Sequence, residues 1–151
     1  MLHSIHRRSR RKTNTFLRRR GVAAVEMALV LPVFITLTLG VVELGRAIMV
    51  AQIMTNAARE AARMAIIDGS SNTTVSNSAK SFLATAAKVS QDDVTVTITT
   101  STTGGGNSVA NAKPQDLVTV NLSLPASKIS WITPKYLAGK NLTAMAAMRH
   151  E

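Results

Sequence analysis

Sixteen consecutive residues without a charge, MALVLPVFITLTLGVV at positions 27–42, constrain this chain more than any other feature. Extended back to Val22, the run reaches 21 residues and takes in one charged group, Glu26. At about 1.5 Å per residue that is roughly 31 Å of helix, which matches a hydrocarbon core of about 30 Å. Thr36 and Thr38 can bond to the preceding turn, so they do not spoil the span. Pro32 removes one amide and is expected to kink the helix against the carbonyl of Ala28, a defect that membrane helices tolerate. Three arginines, Arg18 to Arg20, precede the run and no comparable cluster follows it. By the positive-inside rule the leader is cytoplasmic and the remainder is exported. A buried core helix of a soluble protein is the alternative, but such a helix rarely follows so dense a basic cluster. A cleaved secretory signal would need a small-x-small site; the nearest, Gly45-Arg46-Ala47, has an arginine inside it and Glu43 just before.

The apolar pattern continues beyond the span, now on one face. From Leu44 to Ile67, Ala47, Ile48, Ala51, Met54, Ala58, Ala61, Ala62 and Ala65 step at spacings of three and four. Gln52, Asn56, Arg59, Glu60 and Arg63 form the opposite stripe. One helix over about 22–67 is expected, with Gly40 and Gly45 as the places where it would bend.

Charge confirms this division. Of 18 Lys and Arg, eight lie in residues 1–20 with no acid among them. From residue 21 onward ten basic residues face eight acidic ones, so the body is almost neutral. The leader's basic groups lack a folded platform and interleaved aromatics, Phe16 being the lone ring, so nucleic-acid binding is not expected. There is no cysteine, and the three histidines are His3, His6 and His150. That leaves little from which to build a metal site or a Ser/His/Asp triad. Asp92 and Asp93 are adjacent, and on a strand they would point to opposite faces. No enzyme, cofactor or metal is expected.

After Asp68, Gly69 can take the left-handed conformation that ends a helix. SSNTTVSNS reads as a polar linker, followed by a short helix near 76–89 with Ala79, Phe82, Leu83, Ala86 and Val89 on one face. The period then changes to two. Val94, Val96 and Ile98 alternate with threonines, and Val118, Val120, Leu122 and Leu124 alternate with Thr119, Asn121 and Ser123. Between them STTGGGNSVANAKPQ has no core-forming pattern. Its glycines lack the lysine of a phosphate-binding loop, so it reads as a hairpin connection. A last strand over Leu142–Met148 would complete the sheet. ISWITPKYLAG, with Trp131 and Tyr136, is either an exposed binding loop or, the favoured reading, a cap on a small core.

The fold class expected is α+β: a long N-terminal transmembrane and amphipathic helix, a short helix, and an antiparallel sheet of about three strands. Four segments follow: a basic leader at 1–21, a membrane helix at 22–43, its amphipathic continuation at 44–67, and a small exported domain at 68–151 with a flexible loop at 101–115.

A basic leader ending in glycine, a glutamate at the fifth position after it, and a membrane helix running on as an amphipathic one resemble the type IV prepilin layout. Within that group RRRGVAAVEMALVLPVFITLTLGVVELGRA, with the later AAREAARMA, is similar to the TadE-like family, pseudopilins of tight-adherence (Flp) pilus systems. The resemblance is specific over residues 18–63 and looser to the terminal LTAMAAMRHE. It implies a pilin-like fold and a minor pseudopilin of the bacterial inner membrane. A prepilin peptidase would cut between Gly21 and Val22, with Arg20 flanking the bond and Glu26 serving recognition and assembly. Met27 departs from the pattern, since relatives often carry an aromatic there. Implied partners are other pilin and pseudopilin subunits, the peptidase, the inner-membrane assembly platform and membrane lipid. The alternative is an uncleaved single-pass periplasmic scaffold of the same machinery. Glu26 would lie about 6 Å along the helix from the new terminus of Val22. It would be neutralised there by a neighbouring subunit's ammonium, or would snorkel to the interface with no specific contact.

Overall fold

A computed structural model of the protein describes residues 15–101, 107–129 and 139–150, the first six by backbone alone. Two helices, α1 (Thr15–Ala65) and α2 (Asn72–Ala86), precede strands β1 (Thr95–Thr100), β2 (Leu117–Pro125) and β3 (Asn141–Arg149). The strands form one antiparallel sheet in the order β1-β2-β3. This is the α+β class read from the sequence. The chain divides into two compact units, Met1–Leu39 and Gly40–Glu151.

In the first unit, every residue from Gly21 to Leu39 is exposed, and α1 stays helical through Pro32. Thr36 and Thr38 donate their hydroxyls to the carbonyls of Pro32 and Phe34, both at 2.8 Å. Each hydroxyl is therefore satisfied within its own helix. The apolar surface is not. Val22, Leu29, Val33, Phe34 and Leu37 are all more than half exposed. A helix apolar on all sides needs an apolar surrounding, since each square ångström of it left in water costs about 25 cal/mol.

The second unit begins with the rest of α1, and here one face is buried. Its residues are Ala47, Val50, Met54, Ala57, Ala58, Ala61, Ala62 and Ala65. The five polar residues expected opposite (Gln52, Asn56, Arg59, Glu60 and Arg63) are exposed. The phase differs slightly from the sequence reading: Ile48 is exposed and Ala51 half-buried, while Val50 and Ala57 turn inward. Steps of 47, 50, 54, 57 and 61 track a helix face more closely than a stripe through 48 and 51. The helix ends at Ala65, with Met64 accepting from the Ser70 hydroxyl at 2.6 Å. Gly69 follows at φ +83°, a backbone state that glycine takes without strain.

Helix α2 starts four residues earlier than the sequence reading placed it. The supposed linker holds its N-cap: the Ser71 hydroxyl accepts from the Thr74 amide at 3.2 Å. A Ser/Asn/Thr cluster serves a helix start as readily as a loop, because its oxygens satisfy the otherwise unpaired first amides. The inward residues are Val75, Ala79 and Leu83, four apart. Phe82 and Ala86, expected on that face, are exposed.

The connection from β1 to β2 also departs from expectation. Val109, in a 3-10 turn over Val109–Asn111, is 3% exposed and belongs to the core. Asn72 holds this turn in place: its Oδ1 accepts from the Val109 amide at 2.8 Å, and its Nδ2 donates to the carbonyl of Asn107.

β2 is the central strand, and Val118, Val120, Leu122 and Leu124 are at most 1% exposed. Their cross-strand neighbours share the inner face: Val96, Leu122 and Ala144 in one row, Ile98, Val120 and Ala146 in the next. Ala144 and Ala146 in the middle of β3, with Leu142 and Met148 toward its ends, complete a single cluster with the large side chains of β2 and with α1 and α2. Trp131 and Tyr136 lie outside the described residues.

The alanine face of α1 leaves no room for larger groups, since Ala58, Ala62 and Ala65 are fully buried. Ala62→Leu is expected to lower the unfolding free energy of the detergent-solubilised protein by about 1–3 kcal/mol. Gln52→Leu, on the exposed stripe, should change it by less than about 0.5 kcal/mol, both measured by denaturant titration.

Candidate processing and assembly site

The residues that the sequence singles out, Arg20, Gly21, Val22 and Glu26, all fall within α1. Gly21, Val22 and Glu26 are exposed, and Val22 and Glu26 lie four residues apart, about one turn. Glu26 makes no hydrogen bond or ion pair among the described residues. Met27, next to it, is 63% exposed.

Gly21 has no packing reason to be glycine. A Cβ built there would meet nothing within 4 Å, and its backbone is helical. Glycine inside a helix is unfavourable by about 1 kcal/mol against alanine. The fold therefore gains nothing from this residue, and its reason must be sought outside the folded chain. The helix expected from about residue 22 begins earlier, at Thr15, so the Gly21–Val22 bond lies inside it.

Other polar groups are placed as structural ones. Asp92 and Asp93 sit in the 3-10 turn Gln91–Asp93 and not on a strand, and Asp93 pairs with Lys128 at 3.0 Å. His150, 8% exposed, has its Nε2 3.6 Å from the outward carboxylate of Asp68. Two residues passed over in the sequence stand where the exposed apolar run gives way to the buried face. Glu43 has one carboxylate oxygen buried with no hydrogen-bond partner, and Arg46 donates from Nε to the carbonyl of Ile129. Their spacing of three on a helix was the available signal; it had served only to reject a signal-cleavage site.

These features define a class: a small α+β domain joined to an apolar helix that is long and apolar enough to cross a membrane, with mean hydropathy 2.2 in its most apolar window. Residues 21–63 match the family model described as TadE-like protein. The matched segment opens on Gly21 and contains Val22 and Glu26. The comparisons with curated proteins and with solved structures each return no match.

Gly21→Ala is expected to leave the fold intact and to raise helicity slightly in detergent, by about 1 kcal/mol of local propensity. Circular dichroism and thermal unfolding of the full chain would check it. A measurable loss of stability would mean that the glycine serves the fold after all.

Proposed function

We propose that the protein is a minor pseudopilin of a tight-adherence, Flp-type pilus assembly system, with a structural and not a catalytic role. The observation that carries this reading is the TadE-like match over residues 21–63, beginning at a glycine the fold does not need. In this reading α1 anchors the chain in the bacterial inner membrane. Arg18 to Arg20 hold its start at the cytoplasmic headgroups, and the domain beyond is exported. A prepilin peptidase cuts between Gly21 and Val22 and frees an ammonium on Val22. Partners are other pilin and pseudopilin subunits, that peptidase, the assembly platform in the membrane and lipid.

Glu26 follows from the same geometry. A carboxylate costs about 2.5–3.5 kcal/mol at the bilayer centre and less near its edge. A neighbouring subunit's Val22 ammonium, about one turn away along the axis, offsets much of that in a low-dielectric setting and sets the register between subunits. Within its own chain Glu26 has no partner among the described residues, which leaves it available to another.

A second reading has an observation of its own. The Gly21–Val22 bond lies inside α1, and a protease that binds extended backbone would have to unwind that turn. An uncleaved single-pass scaffold of the same machinery avoids this step.

Mass spectrometry of the protein from wild-type and peptidase-lacking membranes separates the two. A chain starting at Val22 in the first and at Met1 in the second is the expected result; Met1 in both supports the scaffold. Glu26→Gln should leave the membrane level unchanged and reduce co-recovery with pilus components several-fold. Undiminished co-recovery would remove the pairing.

A further inference from the structure

The two edges of the sheet are treated differently. Beside β1 stands α2, and Asn72, Thr73, Ser76 and Asn77 line a groove of about 300 Å³ with Val96 and Ile98. Among the described residues β3 has no such neighbour; its strand partner there is β2, and no hydrogen bond reaches its other side.

The register says which groups are unpaired. In an antiparallel ladder, residues alternate between bonding one side and the other. The amide of His150 donates to Asp116, and that of Ala126 donates to Lys140, which puts the even-numbered residues of this stretch on the β2 side. The amides and carbonyls of Asn141, Thr143, Met145, Ala147 and Arg149 therefore point outward along the edge. Their side chains all lie on the exposed face of the sheet, and Met145 is 66% exposed. Nothing blunts this edge: over nine residues, NLTAMAAMR, it has no proline, no lysine, no acid and no inward charge. A nine-residue edge whose single charge is the terminal Arg149 is a template for another strand.

We propose that β3 pairs antiparallel with β3 of a second copy of this chain, centred on Met145, to make a continuous six-stranded sheet. The strand is complementary to itself in that register. Met145 faces Met145, Thr143 faces Ala147 and Asn141 faces Arg149, all of them residues whose amides point outward. The single charge, Arg149, meets a neutral amide, and the two Arg149 side chains end about 27 Å apart. No like charges meet, and the exposed Met145 side chains cover each other at the two-fold axis of an isologous interface. The inference uses only the second unit and holds whether or not the chain is processed or built into a pilus.

The chain has no native cysteine, so cross-linking is clean. Met145→Cys in the full-length protein in membranes, under mild oxidation, is expected to give a disulfide-linked species of twice the chain mass. Facing residues of a bonded pair have Cα atoms about 5.5 Å apart, within disulfide range. Thr143→Cys alone should remain monomeric, because its copies lie about 14 Å apart. Thr143→Cys and Ala147→Cys expressed together as separately tagged chains should link to each other. A Met145→Cys variant that stays monomeric, links no better than Thr143→Cys, or links to a different polypeptide overturns the proposal. Failure of the tagged pair to link does so independently.

Discussion

The domain beyond the apolar run depends on burying one narrow face of α1 in the same core as the inner face of β2. Met54, Ala58 and Ala62 supply the helix side, while Val118, Val120, Leu122 and Leu124 supply the sheet side. Neither is adequate alone. A three-stranded sheet leaves its inner face in water unless something covers it. An alanine-rich helix face, in turn, contributes little apolar area per residue. Its advantage is geometric: methyl groups take little room, so larger side chains of β2 and α2 (Leu122, Leu124, Leu83) can fill the core. For a domain this small, with few aromatics, the closeness of fit replaces bulk.

The same helix carries two incompatible solvent requirements. From Gly21 to Leu39 all of its sides are exposed and most of its residues are apolar; from Ala47 to Ala65 one side is buried and the other polar. A single aqueous surrounding satisfies the second pattern and not the first. Glu43 and Arg46 stand near the change, the position where a lipid boundary would put charged groups. Gly21 and Glu26 belong to neither pattern. Packing does not ask for the glycine, and no described residue answers the carboxylate. Residues that the fold leaves unexplained are where function is to be sought.

What was legible in the sequence followed from strong periodicity. The alternation in Val118 to Leu124 was correct residue by residue, because a central strand bonded on both edges has no freedom to slip. The polar stripe of α1 was equally plain, since charged groups mark the solvent side whatever the core does. The inward side was less so: a face made of alanines has almost no hydrophobic contrast, and the choice between Ile48 and Val50 was settled by the fit to the sheet. The start of α2 was missed because Ser71, Asn72 and Thr74 have the composition of a loop and do the work of a cap. Val109 was missed because a lone valine in a 3-10 turn has no period; what places it is the hydrogen bond its amide donates to Asn72, 37 residues away in the sequence. Val22 and Glu26 fell inside the helix expected over about 22–67, but its extension back through Gly21 to Thr15 was not legible, for a glycine preceded by arginines carries no strong helix signal.

Glu26 and the edge of β3 pose one problem in two chemical forms. Each is a set of hydrogen-bonding or charged groups that the described residues leave unanswered: a carboxylate on an apolar helix, and a row of outward amides and carbonyls on a strand whose one charge is Arg149. Water answers the second cheaply, and lipid answers the first poorly. Proteins that remain alone commonly guard such edges with a lysine, a proline or a bulge. This chain has lysines at 113, 128 and 140, on both sides of its strands, and none within β3. A charge at Met145 would be accommodated on an open face at no steric cost. Its absence there, like the carboxylate on an exposed apolar helix, is what the proposed contacts with a second chain would account for.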